Sequence, residues 1–410
     1  MKENKFFTII LRFISIFVGL LFIFSGLIKA NDPSGLAYKM GEFFEVWANK
    51  EHFLPSLMLA LNKYAMAFSI MMISFEIIAG VALIIGYRFK LFSYLILALT
   101  VFFTFLTAYA LFSGNIKECG CFGDCIKLQA NESFMKDIIL LILLLLLVIF
   151  RKKIHQAFGN ALATALMIIS FVLSIAIQWY AIKHLPFKDC LAYKKGNNLL
   201  QQMTPDSSYV PAQYKTILTY EKDGVKKDFD DKNFPWQDST WKFIDSKSSL
   251  VAEAQNEPPI KDFVITNYDG NDVTQQILNY PGHVFILFIK DIHEAKTDNM
   301  NALKKLVQDA KEKNMPVIAV SASNDIETNE FKQKHQLDLS FFMIDGTVCK
   351  TAMRSNPGLM LLKNGTVLGK WSYVDYPQLN VLSLSNKDNQ FPLFPTEEAL
   401  ELTTPQETNE

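Results

Sequence analysis

Five long apolar stretches, all within the first 182 residues, constrain this chain more than any other feature of its sequence. A helix needs about 20 mostly apolar residues to cross ~30 Å of hydrocarbon, and each stretch meets or nearly meets that length. Lys136 and Asp137 stand near the start of the fourth and shortest stretch, and we interpret them as marking its water interface. The sequence therefore predicts five membrane-spanning helices, at residues 8–28, 65–87, 91–112, 134–150 and 161–182.

The charge balance and the cysteine content exclude two other classes of protein. The 40 lysines and arginines and the 41 aspartates and glutamates give a formal net charge of −1, which does not support a strongly basic nucleic-acid-binding protein. Five cysteines in 410 residues are too few for a disulfide-rich scaffold. We therefore expect a protein embedded in a lipid bilayer, with a water-soluble extension after the last span.

Basic residues in the short loops predict the orientation of the spans. With five spans, three basic clusters fall on the same side of the membrane, and the positive-inside rule makes that side the cytoplasm. The N-terminus is then cytoplasmic, and everything after the fifth span lies on the outer side. The clusters are Lys2, Lys5 and Arg12; Arg88 and Lys90; and Arg151, Lys152 and Lys153.

The loop between the third and fourth spans carries the densest chemistry in the chain. Cys119, Cys121 and Cys125 fall within seven residues, on the side of the membrane where disulfides persist. A bond between Cys119 and Cys121 would close a small ring whose strain makes it more reducible, and Gly120 supplies the backbone freedom that such a ring needs. Cys121 and Cys125 are an alternative pair. Either pairing leaves a third thiol to attack the bond, and Cys190, just after the fifth span, is a candidate fourth partner.

Two other interpretations of this loop compete with a redox-active pair. One is a purely structural disulfide that holds the loop at the bilayer surface. The other is a metal site, which the pattern does not favour: zinc usually takes four ligands in spaced pairs, the loop has no histidine, and the C-x2-C spacing of iron–sulfur clusters is absent. No metal is predicted.

Two ionisable residues stand out within or beside the spans. Glu76 falls in the middle of the second span, and an ionisable group at that depth is costly and indicates function by default. Its alternative role is a protonated or hydrogen-bonded contact between helices. Lys29 ends the first span, where ordinary snorkelling of its ammonium group to the interface is the simpler interpretation.

Over about residues 5–155 the sequence resembles the DoxX/MauE superfamily of four-helix membrane proteins. The whole arrangement is similar to Bacteroidetes-type DoxX-like proteins that add a fifth helix and an external domain. The Cys-Gly-Cys run is the more specific part of the match. The pattern comprises Arg12, Gly19, Phe22, Ser25-Gly26, Lys29 and Asp32-Pro33 in the first helix, Glu76, Gly80 and Gly86 in the second, and Cys119-Gly120-Cys121-Phe122-Gly123.

This resemblance implies a place and a chemistry for the protein. MauE-type relatives are implicated in methylamine utilisation, in disulfide formation in an exported dehydrogenase beside a thioredoxin-like partner. DoxX-type relatives are linked to quinone-coupled thiosulfate oxidation. The resemblance therefore implies a bacterial inner-membrane protein, a redox role for Cys119 and Cys121, and a quinone as a candidate acceptor. Cys125 is an addition to the usual motif.

The part after the fifth span has two patterns. Residues 214–220, the turn at Asp223-Gly224 and the residues that follow predict a β-hairpin. From Ile260 onward, short apolar strands (263–266, 284–289, 317–321, 341–344, 359–362 and 367–371) alternate with helical segments (294–313 and 326–335), which predicts an α/β domain.

The α/β pattern resembles a thioredoxin-like domain without its redox motif. Pro357 falls where that family places a cis-proline beside the active site. The family's C-x-x-C follows the strand at 284–289, where this chain has Lys290-Asp291-Ile292-His293. Cys349 is the domain's single thiol, and we expect it to be buried and free. His293 is expected to be a surface histidine.

We predict a membrane all-α bundle followed by an external α/β thioredoxin-like domain. Its predicted function is a thiol–disulfide relay between an exported, periplasmic thiol protein and a membrane acceptor such as a quinone, with Cys119 and Cys121 as the exchanging pair. The alternative is a non-enzymatic anchor whose external domain binds a periplasmic partner, with the Cys-Gly-Cys loop as a staple. A small-solute transporter is not favoured because the helices show no paired repeat. The predicted parts are residues 1–155 (four-helix domain), 156–183 (fifth helix), 184–258 (polar, β-rich connection), 259–382 (degenerate thioredoxin-like domain) and 383–410 (disordered acidic tail).

Overall fold

The computed structural model describes residues 5–49, 55–113, 123–126, 128–252, 254–382, 384 and 393. In its N-terminal part the regular secondary structure of the described residues is helical, as the apolar stretches predict. The helices of this part are α1 (Lys5–Asn31), α2 (Pro33–Asn49), α3 (Pro55–Asn62), α4 (Ala65–Ile85), α5 (Phe89–Ser113), α6 (Ala130–Ile149) and α7 (Asn160–His184).

Among the described residues, four helices are long and apolar enough to cross a membrane: α1, α4, α5 and α7. The fourth predicted span corresponds to α6, which is 20 residues long. Its first eight residues include Glu132, Lys136 and Asp137, so its uninterrupted apolar run is 138–149. Twelve residues at 1.5 Å each give about 18 Å, which is short of the hydrocarbon thickness.

The segment between the first two spans, for which the sequence predicted no helix, forms α2 and α3. Leu36 and Phe43 on α2 are buried, and α2 packs along α4. The Ser69 hydroxyl of α4 donates to the Pro33 carbonyl at 2.7 Å, where α2 begins.

Glycines allow α1 and α4 to pack closely. A Cβ added at Gly80 would lie 2.6 Å from the Gly19 carbonyl oxygen, and one added at Gly26 would lie 2.6 Å from the Ile77 side chain. Small residues let membrane helices approach backbone to backbone. This close contact also determines which neighbouring residues of α1 face α4.

The basic clusters that the structure describes meet at one end of the helix bundle. The rings of Phe7 and Phe150 lie 4.9 Å apart, and the Lys153 ammonium lies 5.1 Å from the Phe7 ring centre. Ala157 donates its backbone N–H to the Ile85 carbonyl at 2.9 Å. The residues that end α1 and α7 lie at the opposite end.

A three-stranded antiparallel sheet follows α7 and the short helix α8 (Leu199–Met203), with strand order β2-β1-β3. The predicted hairpin is formed by β1 (Gln213–Lys222) and β2 (Val225–Asp230). Asp223 and Gly224 both have positive φ angles, 52° and 79°, as tight hairpin turns require. The third strand, β3 (Lys242–Ala252), was not predicted.

The C-terminal domain, residues 260–382, is a five-stranded mixed sheet with helices on it, in strand order β6-β5-β4-β7-β8. Strand β4 is buried at every position, because hydrophobic clusters cover both of its faces. Its elements are α9 (Thr274–Leu278), β4 (His283–Ile289), α10 (Met300–Glu312), β5 (Val317–Ser321), α11 (Asp325–His335), β6 (Ser340–Met343), α12 (Gly346–Ala352), β7 (Gly358–Lys363) and β8 (Thr366–Ser372).

Two predicted elements of this domain are wrong. The segment 263–266 is not a strand: Thr266 makes only isolated bridges, to Asp272 and Met343. The helix predicted from residue 294 begins at Met300, because residues 290–299 form turns and irregular backbone. Residues before the predicted domain boundary also enter its core, where Tyr193 and Leu199 are buried with Phe263.

Candidate functional site

Lys29 and Glu76 form a buried ion pair between α1 and α4. Lys29 Nζ lies 2.6 Å from Glu76 Oε1, and the two side chains are 3% and 1% exposed. The Ser25 hydroxyl donates to the other carboxylate oxygen of Glu76 at 3.2 Å. The interpretation of Lys29 as a snorkelling residue is therefore wrong, because its ammonium group points into the bundle.

Helix geometry explains why these three side chains meet. Ser25 and Lys29 are four residues apart, so they lie on the same face of α1. Gly26 lies between them, at the close contact with Ile77 of α4. Glu76 precedes Ile77 directly and is therefore presented to that face.

A second buried carboxylate lies near this pair. Asp137 of α6 is 2% exposed; it pairs with Lys136 and accepts a hydrogen bond from the Thr107 hydroxyl at 3.1 Å. The carboxylate of Asp137, which we interpreted as marking a water interface, is therefore buried among the helices. Sequence reasoning missed its role because a carboxylate near a helix end is usually exposed.

The four charged groups surround one small cavity of about 70 Å³. That volume is large enough for water, which needs ~10–15 Å³ and two or more polar partners. The cavity can therefore hold the water that a proton needs to pass between carboxylates. Its lining residues include Ser25, Lys29, Glu76, Thr100, Phe103, Lys136 and Asp137.

A larger apolar groove of about 410 Å³ lies beside the charged cavity, between α2, α4 and α5. Phe103 lines both spaces, and the Lys29 ammonium lies 5.1 Å from the centre of its ring. Thr107 also lines the groove while it donates to Asp137. The rest of the wall is aromatic, Met and Leu side chains, with Lys39 as the other polar residue.

Arg12, the remaining polar residue of α1 in the predicted site, does not join this cluster. It is half-buried, and its Nη1 atom has no hydrogen-bond partner among the described residues. It lies more than four turns before Lys29 on the same helix.

The cysteines divide into two groups. Cys125 and Cys190 form a disulfide, with their Cα atoms 4.9 Å apart, so the alternative pairing of Cys121 with Cys125 is not the one present. This bond joins the loop before α6 to the chain that leaves α7. Cys119 and Cys121 lie outside the described residues.

The C-terminal domain contacts the bundle close to this disulfide. Arg354 Nε lies 2.8 Å from Asp32 Oδ2, and Arg354 Nη2 lies 2.6 Å from Asp124 Oδ2. The guanidinium group also lies 5.3 Å from the centre of the Tyr38 ring on α2. Burial alone would lower the pKa of Arg354, but Asp32 and Asp124 raise it, so the charge is retained. The sequence carries no signal for this contact, because Arg354 is 230 residues from Asp124 and 322 residues from Asp32.

The edge that faces the bundle carries the loop around Pro357. The Asn356–Pro357 peptide bond is cis, and the Asn356 side-chain amide donates to the Asp291 carbonyl at 2.7 Å. Lys290, the first residue in place of a C-x-x-C, lies 5.8 Å from the centre of the Tyr38 ring. His293 is exposed and lies 3.4 Å from Glu327.

Cys349 is free and buried on α12. Burial first, and then Asp345, raise its pKa to about 12, so the thiol stays protonated at neutral pH. Among the described residues no group of histidine, cysteine and carboxylate side chains is arranged to hold a metal ion.

Comparison with known families supports the assignment of the helical part as a membrane region. A family model described as "Methylamine utilisation protein MauE" matches residues 7–151. A second model, a domain of unknown function (DUF8463), matches residues 214–253, which correspond to the three-stranded sheet. No curated protein matches the chain. The N-terminal third of this protein is therefore a MauE-like multi-pass membrane region, followed by a sheet-containing C-terminal domain.

Proposed function

We propose that this protein is an inner-membrane thiol–disulfide relay that transfers two electrons from an exported protein to a quinone. Cys119 and Cys121 accept the electrons: two thiols of the substrate become a disulfide, and the pair becomes a dithiol. Quinone then takes up the two electrons and two protons as the pair is reoxidised. One cysteine forms the mixed disulfide with the substrate and the other resolves it.

The Cys125–Cys190 disulfide supports this assignment of roles. It pairs Cys125 with Cys190 and so leaves Cys119 and Cys121 as the remaining pair in the loop. Cys121 precedes Cys125 by four residues in the sequence.

The single observation that carries the choice of a quinone is the apolar groove beside the charged cavity. Its volume, about 410 Å³, falls in the range of small-molecule sites, which are mostly apolar with a few polar groups. Aromatic and methionine side chains suit a ring with an apolar tail. The Thr107 hydroxyl oxygen can accept a hydrogen bond from an O–H group of the reduced quinol, while its own hydrogen is donated to Asp137.

The charged cavity supplies the protons. Thr107 connects the groove to Asp137, and Asp137 shares the cavity with Glu76. A quinone that gains two electrons must gain two protons, and buried carboxylates next to water are suited to deliver them. The ion pair with Lys29, at 2.6 Å, holds the Glu76 carboxylate beside this cavity.

A fifth span is part of this proposal. Helix α6 packs along α5. Asp137 near its start faces the cavity of Lys29, and Phe150 just after its end packs on Phe7 near the start of α1. It thus runs between the two ends of the bundle, and its polar residues Ser133 and Asp137 are buried against protein. Five spans put the C-terminal domain opposite the basic end, in the periplasm.

The test uses the full-length protein in liposomes with a short-chain quinone and a protein dithiol. Quinone reduction is followed by absorbance. We expect activity in the unaltered protein, and we expect Cys119→Ser and Cys121→Ser to fall to the rate of empty liposomes. Met72→Trp should fill the groove and slow quinone reduction, whereas Met135→Trp, at an exposed position on α6, should not.

The alternative function, a non-enzymatic anchor, is favoured by one observation. Within the described part of the C-terminal domain, the single thiol is the buried Cys349, so that part offers no exchanging pair. If dithiol oxidation is absent and Cys121→Ser lowers only the amount of folded protein, the loop is a staple and the anchor replaces the relay.

A further inference from the structure

The Cys125–Cys190 disulfide lies between two ion pairs that reach the C-terminal domain. Asp124, directly before Cys125, pairs with Arg354 at 2.6 Å. Asp189, directly before Cys190, pairs with Lys370 at 2.5 Å. Each half of the disulfide therefore follows a carboxylate that holds a cation of the docked domain.

Both cations are buried by this docking. The side chains of Arg354 and Lys370 are 6% and 10% exposed. Removing a carboxylate from a buried cation is destabilising. Arg354 also pairs with Asp32 at 2.8 Å, so the full strength of docking, though not every contact, needs both Asp124 and Asp189 in place. They belong to segments 65 residues apart in sequence, and the disulfide is the covalent link that holds these segments together.

Solvent can reach this disulfide. Cys125 is exposed and Cys190 is half-exposed, so an incoming thiolate has access to it. By contrast, the ion pairs that depend on it lie under the domain.

We propose that Cys125–Cys190 is a reducible clasp, and that a dithiol opens it to release the C-terminal domain from the bundle. A thiolate of the dithiol attacks one sulfur and forms a mixed disulfide, and its second thiol displaces the product. Two cysteine thiols are formed, and the dithiol becomes a disulfide. The two segments are then no longer linked, and Asp124 and Asp189 are no longer held in position to pair with Arg354 and Lys370.

Release would uncover the face of α2 around Tyr38 and the edge of the domain around Pro357. The inference does not rest on electron transfer to a quinone, because it uses neither Cys119 nor Cys121.

The test is hydrogen–deuterium exchange on the full-length protein in lipid nanodiscs, with Cys119→Ser/Cys121→Ser as background. In that background, Cys125–Cys190 is the accessible target for a small dithiol such as dithiothreitol. Reduction should raise exchange about tenfold, equivalent to ~1.4 kcal/mol, in peptides covering 33–49 and 350–358. Peptides covering β4, in the core of the domain, should not change.

Two variants test the mechanism without a reductant. Arg354→Gln should raise exchange in the same two peptides while the disulfide stays closed. Lys311→Gln is the matched control, because it removes an ion pair with Asp338 whose partners are 74% and 75% exposed. No change on reduction, or none in Arg354→Gln, would overturn the proposal. A rise that includes β4 would also overturn it, because the bond would then hold the fold of the domain instead of its docking.

Discussion

At the scale of single residues, the main feature of the membrane region is a buried ion pair between Lys29 and Glu76. Lys29 and Glu76 satisfy each other, and Ser25 satisfies the second carboxylate oxygen. Two buried ions cost several kcal/mol each in desolvation, and their attraction offsets that cost only while both are present. The pair is therefore sensitive to the loss of either member.

Replacing one member of the pair should cost more than replacing both. We expect Lys29→Met or Glu76→Met alone to lower the free energy of unfolding by ~3–5 kcal/mol, and the double variant to cost less than the sum. Chemical unfolding in detergent measures all three. Glu42→Gln is the control, since it removes an exposed pair with Lys39 and should cost ~0–1 kcal/mol. Additive single effects would contradict the coupling.

Cys349 should be chemically silent in the folded protein. Burial raises its pKa to about 12, so its thiolate fraction at pH 8 is about one part in 10⁴. Raising the pH toward 12 should therefore increase its reactivity, and lowering the pH should decrease it further. Mass-tagged maleimide should label Cys349 at pH 8 after denaturation and leave it unlabelled before. Fast labelling of the native protein would show that the thiol is accessible.

At the scale of elements, the contact between α1 and α4 sets the site. Gly19, Gly26 and Gly80 remove the side chains that would separate the two backbones. The close approach brings Ser25 and Lys29 within reach of Glu76. The glycines that belong to the family pattern are thus also the residues that let α1 and α4 pack closely.

A side chain at Gly80 should separate the two helices. Gly80→Val places a Cβ 2.6 Å from the Gly19 carbonyl oxygen, and we expect overpacking to cost ~1–3 kcal/mol. Thermal unfolding in detergent gives the change. Gly159→Ala is the control, because a Cβ there meets nothing within 4 Å. Equal stability of the two variants would show that the contact tolerates a wider spacing.

At the scale of the whole molecule, the number of spans decides where the C-terminal domain works. Four helices satisfy length and apolarity among the described residues, and α6 is the fifth in our proposal. An even number of spans would return the domain to the side of the N-terminus. An odd number puts it on the opposite side, which with the cytoplasmic N-terminus of our proposal is the side where disulfides persist.

Protease protection in spheroplasts distinguishes the two topologies. With five spans, protease added outside should cut the exposed strands of residues 213–252 and give a separate C-terminal fragment on a denaturing gel. Lysis should be needed to cut a tag fused to the N-terminus. Protection of the domain until lysis would mean that α6 does not cross the membrane.

The sequence by itself determined the helical membrane region, the β-hairpin and the strands of the C-terminal sheet. It also singled out Glu76 as a candidate functional residue. Apolar runs, turn residues and a charge within a span are local signals, which is why these features could be predicted. Only the tertiary structure decided that Lys29 turns inward to Glu76, that Asp137 is buried beside them, that Cys125 pairs with Cys190, and that Arg354 docks on Asp32 and Asp124. It also decided that α10 begins at Met300 and not at residue 294. Each of these depends on contacts between segments distant in the chain, whose energies come from burial and from the matching of charges, and neither can be read from the residues nearby.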